Sequence, residues 1–308
     1  MMKYAGYLFV HFIGESKKGE QIYFSVSRDG LHWEDLNHGE PVIESHVGEK
    51  GLRDPFILRN RLNGRFYIIA TDLCINAGKG WGVAQYEGSR NLMVMSSENL
   101  TDWTEPEAIA VGVDGAGCVW APEAIYDEKE GNYLTFWASM VQCAGDKEPK
   151  QRIYESRTKD FKVFSEPQIY IERQNHVIDT TIVENQGIYY RFSKDETTKN
   201  IIADRSADVG SHAFEELKVP EVNKLMGVEG PLCFPFNDRD EWCLMVDRFA
   251  TDGGYLPIVT GDMASGQFRV LDKSEYDMGK TKKRHGSVLN ITEEEYDLLV
   301  KKFGKNLF

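Results

Sequence analysis

Little in this sequence points toward metal, nucleic acid or membrane. Its 308 residues include five cysteines, Cys74, Cys118, Cys143, Cys233 and Cys243, and no two of them form a CxxC or another metal-ligand pair. An odd, scattered set of thiols argues against a disulfide framework and for free, buried cysteines in a reducing compartment. Lysine and arginine form no long basic run. The 49 acidic and 36 basic residues give a formal charge of −13, which makes nucleic acid and anionic membrane poor partners and an uncharged ligand the easier expectation. No apolar run reaches the length of a membrane span. The opening stretch, MMKYAGYLFVHFIGES, has one lysine and a short apolar segment interrupted by His11, without the small-residue cleavage site of a secretory leader. The expected location is the cytoplasm.

What the chain does have is repetition. With 41% hydrophobic residues it can bury a large core, as two domains or as one large β-rich domain. A strand rich in tyrosine, phenylalanine and tryptophan recurs five times: YLFVHF (7–12), RFYIIATD (65–72), NYLTFWAS (132–139), IYYRFSKD (188–195) and EWCLMVDR (241–248). Each is followed, after a gap, by an alternating strand that turns through a polar corner toward an aromatic, as in IYFSVSRDGLHW (22–33) and LMVMSSENLTDW (92–103). Period-two alternation, β-branched and aromatic enrichment and Asp/Gly/Asn/Ser turns mark strands. Only the tail from 292, TEEEYDLLVKKFGKNLF, has helical spacing, with Thr292 and Glu295 as a capping box. Trp33 and Trp103 sit at the repeated corner and are expected to pack between strand groups.

Five such groups predict an all-β fold, a five-bladed β-propeller occupying residues 1–308 as a single domain, with the helical tail from about 292. Each blade needs an innermost strand before its aromatic one. The candidates are 53–60, 121–128, 178–185 and 228–236; for the first blade the strand must come from the other end, at 284–292, closing the ring by pairing the termini and covering its open edges. These five strands begin near Asp54, Glu123, Asp179, Glu229 and His285. Innermost strands start at one end of the axis, so the five side chains are expected to converge on one mouth of the central channel. Any one of them alone reads equally as a strand-edge turn residue. Together, crowded carboxylates drive their pKa values apart, which suits either cation binding or acid–base chemistry.

The ordered motifs RDPFI, WAPEA, VIDTT and VEGP, followed by RHGSV, resemble glycoside hydrolase family 43, the five-bladed propellers that include α-L-arabinofuranosidases, β-xylosidases and arabinanases. The resemblance runs from Tyr7 to about Thr292. It implies an inverting glycosidase with Asp54 as general base, Glu229 as general acid and Asp179 as the carboxylate that orients the acid and raises its pKa; the apolar flanks of Glu229 are expected to push the same way. Family members often carry an aspartate where Glu123 stands, so Glu123 is expected to contact a substrate hydroxyl or to be structural. Many also have their base nearer the N-terminus, which a shifted closure of the ring would explain. His285 falls where relatives place an axial histidine near a bound calcium, implying either a water-mediated Ca2+ site or a histidine hydrogen-bonded within the channel, with no cofactor required.

Sugars bind through hydroxyl hydrogen bonds and by stacking on aromatics. Trp120, and then Trp81 in the loop INAGKGWGVAQ, are the candidate platforms, while Arg284 and Arg53 would bind hydroxyls or pair with the funnel acids. The expected function is exo-acting release of a terminal pentose from arabinose- or xylose-containing oligosaccharides, with α-L-arabinofuranoside preferred over β-xyloside or galactoside. The alternative from another class is a sugar-binding propeller without turnover; an interaction scaffold would present an exposed patch in place of an acidic pocket.

Overall fold

The alternating, aromatic-rich segments form strands throughout the computed structural model, which describes residues 3–304. The chain opens with β1 (Gly6–His11), β2 (Tyr23–Ser27) and β3 (Glu34–Asp35). A second group follows as β4 (Arg53–Arg59), β5 (Phe66–Thr71), β6 (Asn91–Ser97) and β7 (Glu107–Ala110), with the short helix α1 (Trp81–Tyr86) between β5 and β6. The third is β8 (Trp120–Asp127), β9 (Asn132–Val141), β10 (Lys150–Thr158) and β11 (Gln168–Ile171). The fourth is β12 (Val177–Asn185), β13 (Ile188–Asp195), β14 (Asn200–Ser206) and β15 (Glu215–Leu217). After α2 (Pro220–Asn223) come β16 (Glu229–Pro235), β17 (Trp242–Asp247), β18 (Tyr255–Thr260) and β19 (Arg269–Val270). The described chain ends with β20 (Gly286–Ile291) and α3 (Glu293–Phe303).

Each group is a four-stranded antiparallel sheet, and β20 completes the first by pairing with β1, from Gly6 opposite Ile291 to His11 opposite Gly286. The fold is a five-bladed propeller whose ring is closed by its terminal strands. Aromatic second strands such as β1 and β5 are buried at every position. Each blade is covered on both faces by its neighbours, so these strands read as nearly continuous apolar runs. Trp33 packs on Tyr7 and Phe9 in a cluster that also holds Phe234 and Tyr255 of the fifth blade, and Trp103 of the second blade packs on Phe24 of the first, so the corner tryptophans do fill the space between blades. Helix α3 starts at the expected capping box of Thr292 and Glu295, and paired hydrogen bonds from Arg28 to Glu293 and from Arg59 to Glu295 fasten it to the first two blades.

One backbone device recurs on the inner strands. The ladders of β4, β8, β12 and β16 each slip, between Arg53 and Phe56, Trp120 and Glu123, Ile178 and Thr180, and Glu229 and Leu232. At each slip one residue is left-handed: Asp54 (φ 50°), Ala121 (48°), Asp179 (48°) and Gly230 (50°). These are β-bulges, which insert an extra residue and re-aim side chains. Away from glycine the left-handed conformation costs roughly 1–2 kcal/mol per residue, least for Asp and Asn. The bulges also correct the expected register. Asp54 and Asp179 are bulge residues, whereas Glu229 precedes its bulge by one position and Glu123 follows its own by two.

Candidate active site

A plain strand sends consecutive side chains to opposite faces. Here the bulges turn neighbours the same way, so Arg53 with Asp54, and Ile178 with Asp179, border one cavity of 410 Å³. Trp120, Lys194, Glu229, Arg284 and His285 also line it, together with Trp81, which is 47% exposed. The structure thus brings Asp54, Asp179, Glu229, His285, Arg53, Arg284, Trp81 and Trp120 together. Glu123 is left out: it does not line the cavity, is 4% exposed, and burial pushes its carboxyl well above the usual range.

Asp54 is held by a relay across blades. The Ala121 N–H donates to Thr71 Oγ1 at 2.8 Å, and the Thr71 hydroxyl donates to Asp54 Oδ2 at 2.8 Å. Because the backbone amide can only donate, it occupies a lone pair of the hydroxyl and commits the hydroxyl proton to the carboxylate. On its other oxygen Asp54 faces His285, whose Nδ1 is 3.5 Å from Asp54 Oδ1 and 3.8 Å from Asp179 Oδ1. The imidazole also lies against Gly230, where a Cβ would come within 2.7 Å of His285 Cγ.

Glu229 lies between two cations. Lys194 Nζ donates to Oε2 at 2.8 Å and Arg284 Nη2 to Oε1 at 3.2 Å. Burial favours the neutral acid, but the charges of Lys194, Arg284 and His285 outweigh it and hold the carboxyl below its ordinary value. This is opposite to the direction expected from its apolar flanks. The raised group is Asp179: burial, reinforced by Glu229 and Asp54, lifts it to about 6 against the opposing charges of His285 and Lys194. Asp179 also accepts the Gly230 N–H at 3.1 Å, which ties the third carboxylate to the backbone next to Glu229.

Arg53 and Arg284 differ in what they can offer a ligand. Arg53 is turned into an ion pair with Glu20 at 2.8 Å and a longer one with Glu15, beneath the rings of Phe12 and Trp81. Glu20 in turn accepts the N–H groups of Ile75 and Asn76 and so fixes the loop leading to Trp81. Trp81 and Trp120 meet edge-to-face, 6.0 Å between centroids at 85°. Arg284 pairs with two funnel-side acids, Glu229 and Asp247. As for a calcium site at His285, no group of three or more His, Cys, Asp or Glu side chains among the described residues is arranged to hold a metal ion. His285 faces two carboxylates, Asp54 and Asp179, without such a group.

Three further residues, Thr71, Lys194 and Asp247, were not singled out from the sequence. Thr71 pairs with Arg53, Lys194 with Ile178 and Asp247 with Glu229, so all three stand opposite the residue that precedes a bulge. The signal was present in the repeats: aligning RFYIIATD, IYYRFSKD and EWCLMVDR puts Thr71, Lys194 and Asp247 near one level. A larger cavity of 680 Å³ lies at the far ends of the inner strands, beside Arg59, Tyr126, Tyr189 and Trp242. It lacks the convergent acid–histidine group, so the smaller cavity is the candidate site.

The chain is similar to known proteins along most of its length. Residues 2–297 match the model of a group related to glycoside hydrolase family 43, described as a "probable glycosyl hydrolase domain". An α-L-arabinofuranosidase of Bifidobacterium longum subsp. longum is 29% identical over 306 residues, covering 83% of this chain and 29% of that protein. The chain therefore spans less than a third of that relative's length. Among solved structures, an α-L-arabinofuranosidase from Clostridium thermocellum has a TM-score of 0.61 at 11% identity, covering 89% of this chain and 93% of that one. A family-43 β-1,3-galactosidase has a TM-score of 0.63 at 12% identity, covering 90% and 58%. Both share the propeller fold. With the family model spanning nearly the whole chain, this protein belongs to the glycosyl hydrolases related to glycoside hydrolase family 43.

Proposed function

We propose that the protein is an exo-acting, inverting glycosidase that releases terminal α-L-arabinofuranose from arabinose- or xylose-containing oligosaccharides. The observation that carries this reading is that Asp54 and Glu229, held by unlike partners, face one 410 Å³ cavity together with Asp179. Asp54, committed to its acceptor role by the Thr71 hydroxyl, takes a proton from water as the water attacks the anomeric carbon. Glu229 gives a proton to the departing oxygen. Inversion needs these carboxyls on opposite faces of the ring, roughly 6.5–9.5 Å apart, to leave room for the water. A cavity of this size, with Trp81 and Trp120 along one side, suits a terminal sugar and its linkage oxygen more than the run of a chain.

The acid must carry a proton when substrate is bound, although two cations hold it ionised in the empty site. Substrate entry acts on this balance in two ways. Expelling water makes an ionised Glu229 costlier, and a sugar hydroxyl that takes the Arg284 Nη2 donor releases Oε1. Asp179, with its raised pKa, keeps a proton within the same group of carboxyls. The named relative from Bifidobacterium longum supports arabinofuranose, and the β-1,3-galactosidase neighbour keeps galactose as the second reading. A panel of aryl arabinofuranosides, xylosides and galactosides, with proton NMR of the first-formed anomer, tests sugar and stereochemistry together. Cleavage of the arabinofuranoside with inverted product is expected. Retained configuration would overturn the mechanism, and binding without any cleavage would overturn the hydrolase reading.

A further inference from the structure

Behind the cavity wall lies a buried carboxylate that the mechanism above does not use. Asp247 ends β17 directly opposite Glu229 in the ladder and is 0% exposed. Its Oδ2 accepts from Arg284 Nε at 2.6 Å, closer than the 3.2 Å contact of the same guanidinium with Glu229, while its Oδ1 is buried without a hydrogen-bond partner. A buried, half-satisfied carboxylate is expensive unless a cation compensates it. Arg284 is the cation hydrogen-bonded to it, and that cation is shared.

We propose that Asp247 is a positioning residue that holds Arg284 by its Nε edge and draws its charge away from Glu229, so that Glu229 can carry a proton. The inference rests on the reading of Glu229 as the acid. The guanidinium fork is planar and rigid, so an Nε contact to Asp247 takes the side-on Nε/Nη2 fork away from Glu229, which Arg284 contacts through Nη2 alone. Were Asp247 neutral, Glu229 would face the full charge of Arg284 on one side and of Lys194 on the other. The other charged groups around Glu229 are His285, Asp179 beside the Gly230 amide, and Glu196, which shares Lys194 at 2.6 Å. Around Asp247 they are Arg284, Glu229 and His285, with the Tyr255 phenol nearby. Among the described residues only Arg284 hydrogen-bonds both Glu229 and Asp247.

The test is the isosteric Asp247→Asn, read by two measurements. Titration of the Glu229 carboxyl by carbon-13 NMR, assigned with Glu229→Gln, is expected to move down by about one pH unit, the scale set by a single neighbouring charge. The basic limb of the kcat/KM profile is expected to move down with it. Arg284→Gln is the second variant, and serves also where Asp247→Asn does not fold. It is expected to raise the Glu229 titration, and Asp247→Asn added to it should lower that titration by less than it does alone, because only the direct repulsion between the two carboxylates is left. A Glu229 titration unmoved by Asp247→Asn or by Arg284→Gln overturns the proposal. A carboxyl titration that moves while the kcat/KM profile does not leaves the Asp247–Arg284 link standing and overturns Glu229 as the acid, so the two failures are distinguishable.

Discussion

Asp54 and Asp179 hold the same place on two inner strands: each is the left-handed residue of a β-bulge, at φ 50° and 48°, and the Nδ1 of His285 lies 3.5 Å from one carboxylate and 3.8 Å from the other. The fold spends strained backbone at both positions to aim two carboxylates at one imidazole. Their environments then separate them, since Asp54 accepts a committed hydroxyl proton while Asp179 is the more buried and has its pKa raised.

Replacing the base tests the first half of the chemistry. Asp54→Asn keeps a side chain that tolerates the left-handed conformation and still accepts from Thr71, so the fold should be retained. Turnover is expected to fall by at least the ~10²–10⁴ of a general base, equally for good and poor leaving groups. Substantial residual activity on nitrophenyl substrates would sink the assignment.

Glu229→Gln tests the other half. Loss should be about 10²-fold or more on oligosaccharides, whose leaving oxygen needs a proton, and much smaller on activated aryl glycosides. Steady-state rates on a leaving-group series would show this as a steeper dependence on leaving-group pKa than in the wild type. Equal losses across the series would exclude Glu229 as the acid.

Asp179 makes stability depend on pH. Its folded pKa, raised from 3.8 to about 6 chiefly by burial, favours the protonated form, so its contribution is full below pH ~4 and is lost as pH rises through about 6. Asp179→Asn, which still accepts the Gly230 amide, is expected to be more stable than wild type at pH 8, by up to about 3 kcal/mol for a shift of this size. The difference should vanish near pH 4. Urea unfolding at the two pH values measures it, and the gain should come with reduced activity.

Trp120 borders the sugar-sized cavity and touches Trp81 edge-on. Trp120→Ala is expected to raise KM about tenfold with a smaller change in kcat, as loss of one stacking surface would. Trp81→Ala, at the exposed rim, should cost less. A fall in kcat alone for either would mean that the ring acts on the transition state and not on binding.

Gly230 is required twice over, by its φ of 50° and by the His285 ring against which a Cβ would press at 2.7 Å. Gly230→Ala should therefore destabilise by more than the roughly 1–2 kcal/mol of left-handed strain alone. It should also lower activity by displacing His285. Denaturant unfolding and turnover, measured on the same preparation, check both.

Much of this was legible in the sequence. The five aromatic strands, their alternating partners and the acid-bearing segments before them specify a propeller, because each blade solves the same burial problem and so repeats the same pattern. The sequence also marked Asp54, Asp179, Glu229, His285 and Trp120. It did not reveal that Glu123 belongs to the interior, since one residue of slip in a bulge changes which side chain faces the cavity, and WAPEA resembles RDPFI and VEGP closely enough to conceal that shift. Lys194 and Asp247 were hidden for another reason. A lysine or aspartate at the end of an apolar strand reads as a solvated edge until the neighbouring blade is known.

The sequence by itself determined the number of blades and the closure of the ring, because hydrophobic periodicity is a local property that survives without coordinates, and it marked Asp54, Asp179, Glu229 and His285 among the ionisable groups that line the cavity. Only the tertiary structure decided the electrostatics. The charge on Glu229 depends on Lys194 from one blade and Arg284 from another, 35 and 55 residues away along the chain, and a pKa is set by distances through space that spacing along the sequence does not encode.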